Sequence, residues 1–104
     1  MINAIVATAP GGPEVLKPTE IARPEPGPGQ ILVRVAAAGI NFIETYQRQG
    51  LYTMSFPFTP GAEASGVVAA VGEGVADFAE GDRVATAEGT ATYAEYALID
   101  ADKA

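Results

Sequence analysis

The chain is an acidic sequence of 104 residues, with 13 Asp and Glu against 6 Lys and Arg, a formal net charge of −7, no cysteine and no histidine. The length is that of one domain, and the scattered basic residues disfavour both nucleic acid and an anionic membrane as partners. Without Cys or His there is no disulfide framework, no Cys-His or Ser-His catalytic group and no usual zinc site. No apolar run is long enough to span a bilayer, so the sequence predicts a soluble, cytoplasmic protein.

The first part of the chain is predicted to form two strands and a stiff connector. Residues 2–8 are rich in Ile, Val and Ala and predict a strand, and the turn at 10–13 separates it from a second strand over 15–22. Pro18 lies within that second strand and therefore predicts a position at a sheet edge. The segment 23–29 is too rich in Pro and Gly for helix or ladder, so it is predicted to be a connector inside the domain.

A short helix is predicted directly after the clearest strand. Residues 30–38 are predicted to form that strand. Over residues 42–49 the spacing of apolar residues then changes from that of a strand to that of a helix. The helix has a capping box before it, a charge pair four residues apart on it and a glycine cap after it. These features are carried by Asn41 with Glu44, by Glu44 with Arg48, and by Gly50.

The second half of the chain predicts a loop followed by three strands. The loop covers 51–61, and the strands cover 64–71, 83–86 and 93–99, with glycine turns between them. Many short strands at near-regular spacing with one helix favour a barrel or a sandwich.

The glycines at 72 and 74 do not complete a dinucleotide fingerprint. They follow an apolar strand, as the motif requires, but Asp77 stands where the third glycine belongs and no amphipathic helix follows. A carboxylate at that position would repel a pyrophosphate, so the segment is predicted to be a turn.

Six sequence blocks follow one another in order over nearly the whole chain. They are residues 26–35, 39–52, 56–68, 71–75, 81–85 and 93–96. Each block alone is weak, but the combination is specific, and it resembles the zinc-free, zeta-crystallin-like quinone oxidoreductases of the medium-chain dehydrogenase/reductase superfamily. Zinc-dependent members carry Cys where this chain has Asn41 and His where it has Ala62, so the resemblance implies the zinc-free branch, with no metal ligands.

The resemblance implies a mainly β fold, a GroES-like partly open β-barrel with one short helix at about residues 42–49. Residues 1–104 would form the GroES-like catalytic domain, truncated before the Rossmann nucleotide-binding domain. The implied activity is hydride transfer from NADPH to a quinone without a metal, and the fragment alone is expected to be inactive and to bind NADPH weakly. Asn41, Tyr46 and Tyr52 are implied as catalytic residues, and Asn41, Tyr46 and Arg48 as cofactor-binding residues.

Each of these residues also has a structural explanation, and the function has alternatives. Asn41 also fits a plain helix cap, Tyr46 a core aromatic beside Phe42, Tyr52 a loop aromatic, and Arg48 an ion-pair partner of Glu44. The alternative functions are a zinc-free enone or enoyl reductase domain and a non-enzymatic GroES-like fragment or scaffold. In every case an exposed apolar surface is expected to favour a homo-oligomer. The physiological electron acceptor and the preference for NADPH over NADH stay open.

Overall fold

The structure, a computed structural model, describes residues 1–51 and 54–104, and in this part of the chain it is mainly β with one α-helix. The strands are β1 (Ile2–Ala7), β2 (Leu16–Ile21), β3 (Gln30–Gly39), β4 (Glu63–Val71), β5 (Arg83–Thr86) and β6 (Tyr96–Asp100). The helix α1 spans Phe42–Gln49, and two short 3-10 helices cover Pro13–Val15 and Ala101–Lys103. The predicted order of strands and helix is confirmed.

The strands form two open antiparallel sheets that a short bridging segment joins. β1 pairs with β2, and the other strands lie in the order β5-β4-β3-β6. Residues 93–95 bridge the sheets, because Glu95 donates its N–H to Asn3 O (3.0 Å) and accepts the N–H of Val35 (2.8 Å). Within the described residues the sheets do not close into a barrel, so the prediction of a mainly β, partly open architecture is confirmed.

The core lies against β3, which is paired along both of its edges. Ile31, Leu32 and Val33 are all buried although side chains alternate along a strand, so both faces of β3 are covered at this point. Ile31 and Val33 pack with Val68 of β4 and Ile99 of β6 in one apolar cluster. The burial of this cluster is the main source of stability in so small a domain.

Two boundaries differ from the sequence prediction for identifiable reasons. β6 begins at Tyr96 rather than at residue 93, because the backbone of 93–95 divides its hydrogen bonds between β1 and β3. The turn after β1 continues into the 3-10 helix Pro13–Val15, where proline occupies a first-turn position that needs no N–H donor. The predicted edge position of Pro18 is confirmed, since among the described residues β2 pairs only with β1.

None of the helices in the described ranges is long and apolar enough to cross a membrane.

We expect Ile31→Ala to lower the free energy of unfolding by about 2–5 kcal/mol, because it removes buried methyl groups and leaves a cavity. Ile31 is 0% exposed, whereas Ile40 is 83% exposed, so Ile40→Ala is the matched control and should change stability by less than about 0.5 kcal/mol. Urea-induced unfolding of the two variants measures the difference. Equal losses would show that the core does not lie on β3.

Candidate functional site

Helix α1 is defined at both ends by local hydrogen bonds. At its start the capping box is present, and the Asn41 N–H donates to Glu44 Oε1 at 2.9 Å. At its end Gly50 adopts the left-handed conformation (φ 84°) and donates its N–H to Gln47 O at 3.2 Å. The predicted helix ends are confirmed: Asn41 occupies the N-cap position, where its backbone N–H bonds Glu44, and Gly50 occupies the C-cap position.

Glu44 points into the protein and links the helix to the bridging segment. It is only 6% exposed, and its Oε1 accepts the hydroxyl of Tyr93 as well as the Asn41 N–H. The backbone of Tyr93 in turn donates to Pro60 O (3.0 Å) and accepts the N–H of Ile5 (2.8 Å). One side-chain hydrogen bond therefore connects α1 with β1 and with the loop that contains Pro60.

Burial and the neighbouring carboxylate act together on the Tyr93 hydroxyl. Partial burial raises the pKa of Tyr93 well above its ordinary value of 10.0, and the hydrogen bond to Glu44 and the negative charge of Glu44 raise it further. All three effects disfavour the tyrosinate, so Tyr93 remains a hydrogen-bond donor throughout the neutral range.

Gly61 allows the loop before β4 to approach this pair closely. Its φ of +114° is unfavourable for any residue with a side chain, and a Cβ there would collide with Thr92 Oγ1 and lie 2.7 Å from Tyr93 Cδ1. The absence of a side chain at Gly61 therefore leaves room for the Tyr93 ring beside the loop.

The predicted ion pair between Glu44 and Arg48 is wrong. Arg48 Nε instead donates to Gly11 O at 3.1 Å, and Gly11 N–H donates to the Arg48 carbonyl at 2.9 Å. Because Tyr93 draws the Glu44 carboxylate inward, the two charged groups face different parts of the protein. The spacing of four residues is compatible with a pair, but both side chains find better-placed tertiary partners.

Of the other residues predicted for the site, Tyr46 lies on the exposed side of α1 and Asn41 at its start. Tyr46 is 43% exposed and Phe42, one turn earlier, is 83% exposed, so Tyr46 is not a core aromatic. Asn41 is partly buried at the helix start. Arg48, two residues after Tyr46, faces the loop at Gly11 instead. Tyr52 lies outside the described residues.

Residues at and just before the start of the helix line two cavities. One, of about 170 Å³, is lined by Ile43 and Glu44 together with Phe58. The other, of about 290 Å³, is lined by Ile40 and by Tyr93. Asn41 lies in the chain between Ile40 and Ile43, which line one cavity each. Across residues 1–51 and 54–104 there is no group of three or more acidic, Cys or His side chains that could hold a metal ion.

Sequence reasoning missed Tyr93 as a site residue. It lies 49 residues from Glu44, and the pattern around it indicates only a strand. No local signal indicates this contact, because Glu44 shares its helix face with the polar, half-buried residues Gln47 and Arg48 rather than with apolar ones.

Comparison with known proteins gives a consistent result for the whole chain. The family model of the alcohol dehydrogenase GroES-like domain matches residues 27–104. The chain is 43% identical to a quinone oxidoreductase of Sus scrofa over 106 residues and 46% identical to a probable quinone oxidoreductase of Schizosaccharomyces pombe over 101 residues. These matches cover 98% and 95% of this chain but only 32% and 31% of the relatives.

A solved structure of similar fold is the quinone oxidoreductase of Escherichia coli complexed with NADPH. It superposes with a TM-score of 0.94 at 43% identity, covering 97% of this chain and 32% of that protein. The chain thus spans about a third of the length of the relatives it matches.

We expect the stability of the protein to decrease above about pH 10 partly through Tyr93. Because folding raises the pKa of Tyr93, its contribution is fully present below the unfolded-state value of about 10 and is lost as the pH rises toward the folded-state value. Tyr93→Phe should therefore reduce the slope with which the free energy of unfolding falls at alkaline pH. One proton can change that slope by at most about 1.4 kcal/mol per pH unit, and the change should be smaller here because partial exposure screens the effect.

Urea unfolding between about pH 8 and pH 11 measures this slope. The control is Tyr96→Phe, which removes the same hydroxyl from a ring that packs beneath the Arg23 guanidinium at 4.4 Å. An identical alkaline slope in the wild-type protein and in Tyr93→Phe would contradict the assignment.

Proposed function

The chain belongs to the family of alcohol dehydrogenase GroES-like domains, and from this premise we propose that it is the catalytic-domain portion of an NADPH-dependent quinone oxidoreductase that uses no metal. The observation that carries the proposal is the similarity over 97% of the chain to the E. coli enzyme solved with NADPH. Because the chain spans about a third of such relatives, we assign to it one wall of the reaction site.

The polar groups beside α1 suit this chemistry. A quinone already accepts hydride readily, so a protein accelerates the reaction chiefly by positioning the reactants and by stabilising the oxygen that becomes phenolate-like. The Asn41 amide and the Tyr46 hydroxyl are donors of the required kind, and they lie close in the chain to the exposed apolar residues Phe42 and Ile43. Tyr52 is proposed at the substrate opening from the sequence alone.

The residues of this chain fit the nicotinamide end of NADPH but not its phosphate groups. An apolar surface with amide and hydroxyl donors can accept a flat ring and fix its orientation. The phosphates need a cluster of cations or a helix N-terminus within a glycine-rich turn, whereas the chain carries a net charge of −7 with six dispersed basic residues. Arg48, the basic residue predicted to contact the cofactor, donates to Gly11 O. The hydride itself is the chemistry that NADPH supplies when bound.

We expect the chain alone to show no saturable NADPH binding in the micromolar range and no reductase activity, because it lacks a phosphate site. Titration followed by NADPH fluorescence measures the first, and NADPH oxidation with 1,4-benzoquinone measures the second. Micromolar binding by the chain alone would contradict the assignment of only one wall of the site.

Fusion of residues 1–104, in register, to the remaining part of the E. coli relative should restore NADPH-dependent reduction of 1,4-benzoquinone. In this fusion Asn41→Ala and Tyr46→Phe should each lower kcat by about 10²-fold, the usual loss for one donor to a developing oxyanion. The control is Gln49→Ala, on the same helix and exposed. A folded, NADPH-binding fusion without turnover would refute the proposal, and faster turnover of an enone than of a quinone would favour the enone reductase instead.

We also propose that the isolated chain self-associates through the apolar surface around α1. Ile40 and Phe42 are each 83% exposed and Leu51 is 69% exposed, within twelve consecutive residues. Exposed apolar clusters of this kind mark interaction surfaces in soluble proteins.

Sedimentation velocity at increasing concentration should show an oligomer of the wild-type chain. The double variant Ile40→Glu/Phe42→Glu should be monomeric, because two carboxylates at an apolar interface are costly to desolvate. The matched control is Val71→Glu, at the far end of β4, where the side chain is 38% exposed. A wild-type chain that remains monomeric at about millimolar concentration would rule out the interface, because even weak dimers with dissociation constants in that range would then be detected.

A further inference from the structure

The burial of Glu44 is unusual for a residue in the first turn of an exposed helix. Glutamate is rarely buried in proteins unless it is paired, and Glu44 is 6% exposed. Helix capping alone does not require burial, since a solvated glutamate at the same position also bonds the N-cap amide. Its Oε2 is buried without a hydrogen-bond partner among the described residues, which adds a desolvation cost. An inward carboxylate therefore needs an explanation beyond helix stability.

The Glu44 carboxylate joins two hydrogen bonds at one atom. Oε1 accepts both the backbone N–H of Asn41 and the hydroxyl of Tyr93. Asn41 precedes the helix, so any shift of the carboxylate also shifts the backbone that carries the Asn41 side chain. Tyr93 is itself fixed by backbone hydrogen bonds to Pro60 and Ile5. Glu44 and Tyr93 therefore connect the backbone of Asn41 to β1 and to the loop that contains Pro60.

We propose that Glu44 and Tyr93 are a positioning pair that holds Asn41 and the start of helix α1 in the orientation needed at the reaction site. The proposal rests on the function proposed above, and it assigns neither residue to contact with substrate or cofactor. The second tertiary attachment of the helix, from Arg48 to Gly11, is at its other end and fixes the last turn. Loss of the Tyr93 hydroxyl should consequently loosen the start of the helix while the last turn stays attached.

Hydrogen exchange on the 104-residue chain itself tests the attachment. Tyr93→Phe removes only the hydroxyl, and it should speed exchange of the amides in the first half of α1 by about tenfold or more relative to those of β3, as expected for losing a hydrogen bond to a charged group. These amides include the Glu44 N–H, which donates to Asn41 O. Tyr96→Phe is the matched control and should leave the α1 rates unchanged. Unchanged α1 exchange in Tyr93→Phe would overturn the proposal.

A double-mutant cycle separates the pair from general loosening. Glu44→Gln keeps an acceptor for Tyr93 but loses the charge, so it should give an intermediate effect. The double variant Glu44→Gln/Tyr93→Phe should speed exchange by less than the two single effects combined, because the two groups share one interaction. Strict additivity would overturn the pairing.

The fusion described above tests positioning as distinct from stability. In it, Tyr93→Phe should lower kcat by about tenfold while the KM for NADPH changes less than about twofold, because a misplaced donor affects the reaction more than the binding of a cofactor held elsewhere. An active fusion in which Tyr93→Phe leaves kcat unchanged would reduce the pair to a structural role and overturn the proposal. A fusion that never turns over, with the exchange results as expected, would refute the proposed function and leave the attachment itself established.

Discussion

Strand β3 is paired along both edges, and the position of helix α1 follows from it. β3 is bound to β4 along one edge and to β6 along the other, and it contributes Ile31 and Val33 to the apolar core. Only two residues separate its end at Gly39 from the start of α1 at Phe42. The sheet therefore fixes where the helix begins, and the helix in turn fixes Asn41 and Tyr46.

Elements whose signals are local could be predicted from the sequence, and contacts between distant residues could not. The capping box of α1 spans four residues and its glycine cap is a single position, so both ends of the helix follow from short-range rules. The Glu44–Tyr93 hydrogen bond joins residues 49 positions apart, and no local pattern indicates it. The same inward turn of Glu44 explains why a spacing of four residues predicted the wrong partner for Arg48.

The candidate site shows the same division between local and distant information. The exposure of Tyr46 depends on which side of α1 turns inward, and that side carries Glu44 with its distant partner Tyr93. The resulting surface combines exposed apolar side chains with few polar donors, which suits a planar ring. The acidic charge and dispersed cations suit no phosphate, which supports the proposal that the chain forms only one wall of the reaction site.

In the proposed function the start of α1 faces the reactive ring of the cofactor. A crystal structure of the fusion with NADP⁺ bound tests this placement. We expect side-chain atoms of Asn41 or Tyr46 within about 4 Å of the nicotinamide, the distance of van der Waals contact. A nicotinamide bound at full occupancy on a different surface, with α1 separated from it by solvent, would contradict the account.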